Sequence, residues 1–113
     1  MMPTAPKTEN WITFEILKTW GAHPRIRMAR VNTGAAMIKG RMVRFGIPGT
    51  ADICGLIAPT GRFLAIEVKT ATGKQRDAQV TFQRVVTAMG GLYVLARNLS
   101  DVDQALAAIG ITR

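Results

Sequence analysis

The sequence predicts an α/β fold in which a mixed β-sheet is flanked by helices, in the order α-β-β-β-α-β-α. Three features carry this prediction. A capped helical stripe spans residues 8–20, and two apolar strand-like runs meet at a turn near residues 58–61, which indicates an antiparallel hairpin. A strand, helix, strand succession over residues 63–96 indicates a right-handed crossover that makes two strands parallel. Antiparallel and parallel pairs together make the sheet mixed.

The first helix is expected to begin after Thr8, which suits an N-cap, and to run to Trp20. At about 100° per residue, one stripe of this helix contains Glu9, Ile12, Ile16 and Trp20. We therefore expect Glu9 to point inward at the start of the helix. Glu9 has a second interpretation, which also stays open: an acid in the first turn of a helix complements the helix dipole without any role in a site.

The next segment predicts strands and turns. Residues 25–31 alternate enough for a strand, and residues 37–38 and 41–43 flank Lys39-Gly40 as a small hairpin. Asn32 and Thr33 are interpreted as turn formers, although their side chains can also contact a phosphate or sugar. Residues 46–49 form a loop that leads to the strand of Asp52.

The second half predicts a helix, a strand and a helix. The first of these helices runs from about Arg76 to Met89. Its apolar stripe is predicted to contain Ala78, Phe82, Val85, Val86 and Met89. A buried strand follows at residues 92–96, and Ser100 is expected to cap the last helix.

Two acids and one lysine interrupt the apolar runs of the central hairpin. Strand alternation predicts one face with Phe63, Ala65, Glu67 and Lys69 and the other with Leu64, Ile66 and Val68. If Pro59 and Thr60 are the loop residues, Asp52 lies opposite Glu67, whereas a bulge at Gly61 would shift that register. Charged residues in such positions are seldom only structural.

The three charged side chains suit phosphodiester hydrolysis. Asp52 and Glu67 offer the oxygen ligands that Mg²⁺ prefers, and Mn²⁺ is the other candidate. A cation there polarises a phosphodiester and lowers the pKa of a bound water, while the Lys69 ammonium positions that water or stabilises developing negative charge.

These residues resemble the PD-(D/E)xK nuclease signature, and their context resembles its VRR-NUC (virus-type replication-repair nuclease) branch. The resemblance covers roughly residues 9–101 and rests on Gly49-Thr50-Ala51-Asp52-Ile53-Cys54-Gly55, Gly61 to Lys69, Gln79 and Gly90-Gly91. Ala51 stands where the name of the signature has Pro, a position without a catalytic group. The resemblance implies a restriction-endonuclease-like fold. It also implies a metal-dependent, structure-selective DNA endonuclease that acts in replication, repair or recombination, and a phage origin is compatible with it.

The resemblance also implies a role for each residue. Asp52 and Glu67 would bind the metal, with the Val68 backbone carbonyl as a further ligand. Lys69 would be the catalytic base or charge stabiliser, and as a base it needs a pKa lowered by the cation or by burial. Glu9 would be an accessory acid. Gln79 would lie near the metal and orient water or Lys69, whereas without the resemblance it is an ordinary exposed helix residue.

The charge distribution favours a polyanionic partner. The net charge is +8, and no acid occurs between Ile16 and Ala51. Such a block attracts nucleic acid, since each phosphate contact releases counterions. The candidate DNA-binding residues are Arg25, Arg27, Arg30, Lys39, Arg41, Arg44, Lys74 and Arg76. A solvated strand face that resists edge aggregation would explain the same charges.

Composition excludes several other classes. One cysteine and one histidine rule out an internal disulfide and a zinc site of ordinary ligand count. Without a long apolar run or a secretory signal we expect no membrane association and a cytoplasmic location. Residues 1–7 are interpreted as a flexible tail and residues 8–113 as a single nuclease-like domain. Its small surface leaves homodimerisation open.

Two other functions stay open. The first is a non-catalytic nucleic-acid-binding module that uses the basic segment of residues 16–51, with the acids as buried hydrogen-bonding groups. The second is a small protein-interaction subunit. Metal-dependent cleavage separates the nuclease from both alternatives, and salt-sensitive binding separates the two alternatives from each other.

Overall fold

The computed structural model describes residues 6–31 and 34–113, and side chains are described for all of these except residues 34–36, 44 and 45. The predicted turn residues Asn32 and Thr33 and most of the predicted tail lie outside the described residues. The elements are α1 (Glu9–Trp20), β1 (Ile26–Arg30), β2 (Gly34–Ile38), β3 (Arg41–Phe45), β4 (Ile53–Ile57), β5 (Arg62–Val68), α2 (Asp77–Ala88), β6 (Leu92–Ala96) and α3 (Leu99–Ala107).

The main sheet has the strand order β1-β4-β5-β6. β4 pairs antiparallel with β1 and β5, and β5 pairs parallel with β6, so the predicted mixed sheet flanked by helices is confirmed. β2 and β3 pair with each other as a separate two-stranded sheet, which confirms the small hairpin predicted around Lys39-Gly40, although the predicted element order did not count its two strands. Without that hairpin the order is α-β-β-β-α-β-α.

The register of β4 and β5 matches the prediction from the turn. Ile57 pairs with Arg62 and Ile53 with Ile66, so one further step places Asp52 opposite Glu67. The bulge considered at Gly61 does not shift this register. The two predicted acids therefore meet at the end of the β4–β5 ladder.

The helices cover the two sheet faces differently. The larger core lies under α1 and α3, where Ile12, Ile16 and Trp20 pack against side chains that include Leu64 and Ile66. A smaller core lies under α2 and joins Ala51, Ala65 and Val86, with Cys54, Phe82 and Tyr93 packed partly against it. Alternation along β5 thus divides its residues between the two cores as predicted.

The first helix follows its predicted ends, and the last helix does not. The Trp11 backbone N–H donates to Thr8 Oγ1 at 3.1 Å, which confirms Thr8 as the cap of α1. In α3 the cap is Asn98, whose side chain accepts from the Asp101 backbone N–H at 2.9 Å. Ser100 is therefore not the cap, because it already lies inside the first turn.

The inward line of α2 also differs from the predicted stripe. Gln79 and Val86 are buried and Phe82 is half-buried, whereas Ala78, Val85 and Met89 are exposed. The helix is rotated so that Gln79 takes the inward position expected for Ala78. The reason lies in the site described below, where Gln79 meets a buried carboxylate.

No helix among the described residues is long and apolar enough to cross a bilayer. Outside the cores, Lys7 and Glu15 form an ion pair at 2.8 Å.

Candidate active site

Asp52 is held between two neighbouring strands. It lies one residue before β4, and its backbone carbonyl accepts from the Val31 N–H at 2.8 Å. Its side-chain Oδ2 accepts from the backbone N–H of Val68 at 2.8 Å. These contacts turn the Asp52 carboxylate toward the end of β5, where Glu67 lies.

Glu67 is a carboxylate inside the protein. Its side chain is 2% exposed, and its Oε1 accepts from Gln79 Nε2 at 2.8 Å. The Lys69 Nζ lies 3.6 Å from the same oxygen. The other oxygen, Oε2, is buried and, when both carboxyls are ionised, has no hydrogen-bond donor among the described residues. A buried carboxylate oxygen without a partner is costly, so this position has unmet bonding capacity.

The environment of Glu67 favours its protonated form. Burial raises the pKa of Glu67 to about 7, and the negative charge of Asp52 and hydrogen bonding between the two carboxyls act in the same direction. Lys69 lowers the pKa of Glu67 but does not offset these causes. Two carboxyls that face each other cannot both ionise without cost. A cation between them would remove that cost.

Gln79 connects the acidic pair to the start of α2. Its side chain is 4% exposed, and its Oε1 accepts from the Arg76 backbone N–H at 2.8 Å while its Nε2 donates to Glu67. Gly49, with φ +80°, passes against the Ala78 carbonyl and leaves no room for a Cβ. The loop before Asp52 and the first turn of α2 are thus packed together.

Lys69 follows β5 directly and is mostly covered. Its side chain is 13% exposed, and its backbone N–H donates to the Ala96 carbonyl at 3.0 Å. The loop after it is held by Arg97, whose Nη1 donates to the carbonyls of Thr70 at 2.6 Å and Gly73 at 2.7 Å. The ammonium is therefore presented to Glu67 by a loop with fixed ends.

Glu9 and Val68 occupy different surroundings. Glu9 is exposed, so the expectation that it points inward is wrong: it lies in the first turn of α1, before the first buried residue, Ile12. The Val68 side chain is fully buried in the larger core, on the face away from Glu67. Its backbone N–H binds Asp52, which brings the backbone of Val68 beside the acids.

Two further side chains face the acids and were not singled out from the sequence. Burial, followed by the charges of Glu67 and Asp52, raises the pKa of Cys54. Burial raises the pKa of Tyr93 to about 12, opposed by a hydrogen bond from Gln75 and helped by the charges of Glu67, Asp52 and Cys54. Cys54 lies two residues after Asp52, so strand alternation alone could have found it. Tyr93 needed the parallel register of β6, which pairs it with Ala65.

The predicted DNA-binding residues lie on several elements of the fold. Arg25, Arg27, Arg30, Lys39, Arg41, Lys74 and Arg76 are exposed, and the side chain of Arg44 is outside the described set. Arg27 lies on the sheet face of the acids, since it pairs with Leu56 and its neighbour Ile26 is buried on the other face. Arg25 donates to the Ala58 carbonyl at 3.0 and 3.2 Å.

The remaining predicted cations lie at three other places. Arg30 donates to the Asn10 side chain at 2.8 Å, beside the start of α1. Arg76 is the N-cap residue of α2, and Lys74 precedes it. Lys39 and Arg41 lie at the turn of the β2–β3 hairpin.

Groups of three or more His, Cys, Asp or Glu side chains that would suit a metal are not found within residues 6–31 and 34–113. The acidic site there is the pair of Asp52 and Glu67, and Glu9 does not extend it to a triad. In comparisons with known proteins, no family model and no curated protein sequence matches this chain.

Proposed function

We propose that this protein is a Mg²⁺- or Mn²⁺-dependent DNA nuclease that hydrolyses phosphodiester bonds. One observation carries the proposal: the buried Glu67 carboxylate faces Asp52 with one oxygen unpartnered among the described residues, and Lys69 lies 3.6 Å from the other. An acid pair that only supported the fold would have both carboxylates satisfied by hydrogen bonds.

The donor set fits a hard divalent cation. Mg²⁺ is usually held by one or two carboxylates, with water and substrate phosphate completing its shell. Asp52 and Glu67 would supply the two carboxylates, and the Val68 carbonyl is a further candidate ligand. The bound cation supplies Lewis-acid polarisation of the phosphodiester and a water of lowered pKa.

The protein residues around that site would stabilise charge, transfer a proton and orient the two carboxylates. Lys69 brings a positive charge to the point where negative charge develops on the phosphate, or takes the proton of the attacking water. Gln79 holds one oxygen of Glu67 and thereby leaves the other free to bind. The Val68 N–H orients Asp52 in the same way. Glu9 stays a proposed accessory acid, although its side chain is exposed in the first turn of α1.

The surface charge supports DNA as the substrate. The net charge of +8 favours a polyanion, and Arg27, Lys74 and Arg76 are exposed on the sheet face of the acids and at the start of α2. The order of strands and helices, with Asp52, Glu67 and Lys69 at one end of a β4–β5 hairpin, supports a restriction-endonuclease-like fold of the VRR-NUC type.

The test is cleavage of labelled linear, branched and closed circular DNAs with and without Mg²⁺ or Mn²⁺. We expect cutting only with the cation, and cutting of closed circles would establish endonuclease action. Asp52→Asn protein prepared in parallel controls for contaminating nucleases. Salt-sensitive DNA binding without cleavage of any substrate would contradict the proposal and support the non-catalytic binding module.

A further inference from the structure

The β2–β3 hairpin is connected to the main fold close to Asp52 at both of its ends. The chain enters the hairpin after Val31, whose N–H donates to the Asp52 carbonyl at 2.8 Å. It returns through a turn in which the Thr50 N–H donates to the Ile47 carbonyl at 3.1 Å, next to Gly49 and the first turn of α2. Both connections of the hairpin to the main fold therefore lie close to the acidic pair.

The outer part of the hairpin projects into solvent with apolar side chains on both faces. Met37 and Met42 form a cross-strand pair and are 63% and 62% exposed. On the opposite face Ile38 is 51% exposed and Val43 is 39% exposed. A ribbon that is apolar and uncovered on both faces is poorly explained by the packing of the domain alone.

The turn of the same hairpin is positively charged. Lys39 and Gly40 have φ values of 50° and 76°, as a two-residue turn of type I′ requires, and Arg41 follows. Both cationic side chains are exposed, and the sequence from Ile16 to Ala51 contains no acid. The charge complements a polyanion, which favours nucleic acid over a second copy of this basic chain as the partner.

We propose that the β2–β3 hairpin enters the major groove of duplex DNA and holds the duplex over the acidic pair. This inference rests on the proposed nuclease function and deepens it, because it makes duplex DNA rather than single strands the substrate class. Lys39 and Arg41 contact the DNA through charge, and Met37 and Met42 contact the apolar methyl groups of thymine.

The dimensions of the ribbon fit that groove. A two-stranded β-ribbon is admitted by the major groove, which is about 12 Å wide and about 8.5 Å deep, whereas the minor groove is only about 6 Å wide. The five residues of β2 extend about 16 Å at about 3.3 Å per residue. A ribbon of that length exceeds the depth of the groove, so its turn can reach the groove floor.

The first experiment removes charge at the turn without breaking it. Lys39→Asn creates Asn-Gly, a preferred type I′ pair, and Arg41→Thr keeps a residue suited to a strand. Duplex binding is measured by fluorescence anisotropy in metal-free buffer over a series of salt concentrations. The control is Lys18→Gln with Arg84→Gln, which removes the same charge from exposed positions on α1 and α2.

The hairpin double variant is expected to lower the slope of log affinity against log salt by up to about two, at about 0.9 per phosphate contact. The control pair should leave the slope near that of the parent. Equal slopes for parent and hairpin variant would overturn the inference. If the parent binds duplex DNA through the hairpin but never cuts it, the role of the hairpin in DNA binding is supported and the nuclease proposal is wrong.

The second experiment addresses the apolar face. Met37→Thr with Met42→Thr should weaken binding to an A·T-rich duplex by about tenfold and leave the salt slope unchanged. The parent should bind the same duplex more weakly when uracil replaces thymine, because the thymine methyl lies in the major groove. Equal parent affinity for the thymine and uracil duplexes would overturn the major-groove assignment.

The same variants test the alternative partner. If the parent is a dimer by analytical ultracentrifugation and the methionine variant is a monomer with unchanged DNA affinity, the hairpin is an interface between two copies, and the DNA inference is wrong.

Discussion

The two faces of the four-stranded sheet are made by alternate residues of the same strands, yet they differ in chemistry and in cover. The face under α1 and α3 buries Leu64, Ile66 and Val68 completely. The face under α2 carries Ala65 and Glu67 and is covered less completely, since Leu56 is 52% and Phe63 38% exposed. A single strand thus contributes a closed apolar core on one side and a partly open polar site on the other.

This difference shows that the two faces contribute unequally to the stability of a chain of 113 residues. Burial of apolar side chains against α1 and α3 stabilises the fold. On the α2 face that stabilisation is partly given up, because Glu67 is buried with an unpartnered oxygen and a raised pKa. Buried groups with perturbed pKa values, such as this carboxyl, cluster at functional sites in proteins.

The largest effect is expected from the acidic pair. Asp52→Asn removes one charge from the proposed metal ligands and should abolish both metal binding and cleavage, while DNA binding in metal-free buffer survives. Metal titration by calorimetry and a cleavage assay check this prediction. Metal affinity equal to that of the parent would show that Asp52 is not a ligand.

Lys69→Met should lower cleavage by about 10² to 10⁴, because a positioned proton-transfer or charge-stabilising group is lost. Metal affinity should persist, since both carboxylates remain. The measurement is single-turnover cleavage at saturating metal. A variant that cuts within a few fold of the parent would refute the catalytic role of this lysine.

Substitutions at two adjacent residues of β5 allow a direct comparison of the two sheet faces. Ile66→Ala opens a cavity in the larger core and should lower the free energy of unfolding by about 2 to 5 kcal/mol, with cleavage by the folded protein nearly unchanged. Glu67→Gln should remove cleavage and raise the free energy of unfolding of the metal-free protein above pH 7. Urea unfolding checks both. Equal destabilisation by the two changes would mean that Glu67 is an ordinary core residue.

Gln79→Met should weaken metal binding or activity by about 10- to 100-fold, because Glu67 loses the group that orients it. Gln83→Met is the matched control on the same helix, since Gln83 accepts from Gln75 at 3.1 Å. Metal titration of the two variants distinguishes orientation of the ligand from general loosening of α2. Similar losses in both variants would contradict the assigned role of Gln79.

The smallest effect concerns pH. In the folded protein the pKa of Glu67 is about 7, above the ordinary value of 4.5 that applies to the unfolded chain. The native state therefore holds this proton more tightly than the unfolded state does. The contribution of Glu67 to the free energy of unfolding of the metal-free protein should therefore be greatest below pH 4.5. It should fall as the pH rises to about 7. The difference between parent and Glu67→Gln, measured by urea unfolding across that range, isolates this contribution. A difference independent of pH would refute it.

Much of the site could be predicted because it depends on neighbours in sequence. Alternation along β5 placed Glu67 and Ile66 on opposite faces, and the turn at Pro59 and Thr60 set Asp52 opposite Glu67. Both rules follow from backbone geometry within about fifteen residues. The catalytic and metal-binding roles of these residues stay predictions until the assays are done.

The features that could not be predicted depend on contacts between distant segments. Helix periodicity did not place Gln79 inward in place of Ala78, and only the family resemblance implied that position. Tyr93 joins the site through the parallel pairing of β6, and Glu9 stays exposed. Helix periodicity describes a stripe but does not say which of two adjoining positions will face a buried group on another strand. That choice is made by the hydrogen bond from Gln79 to Glu67.

The sequence by itself determined the strand faces, the β4–β5 register and the meeting of Asp52 with Glu67, because turn length and side-chain alternation are local. Only the tertiary structure decided that α1 and α3 close one face, that α2 rotates Gln79 onto Glu67, and that the β2–β3 hairpin stands apart from the main sheet. These outcomes depend on which surfaces remain to be covered once the sheet has formed, and burial is a property of the whole chain.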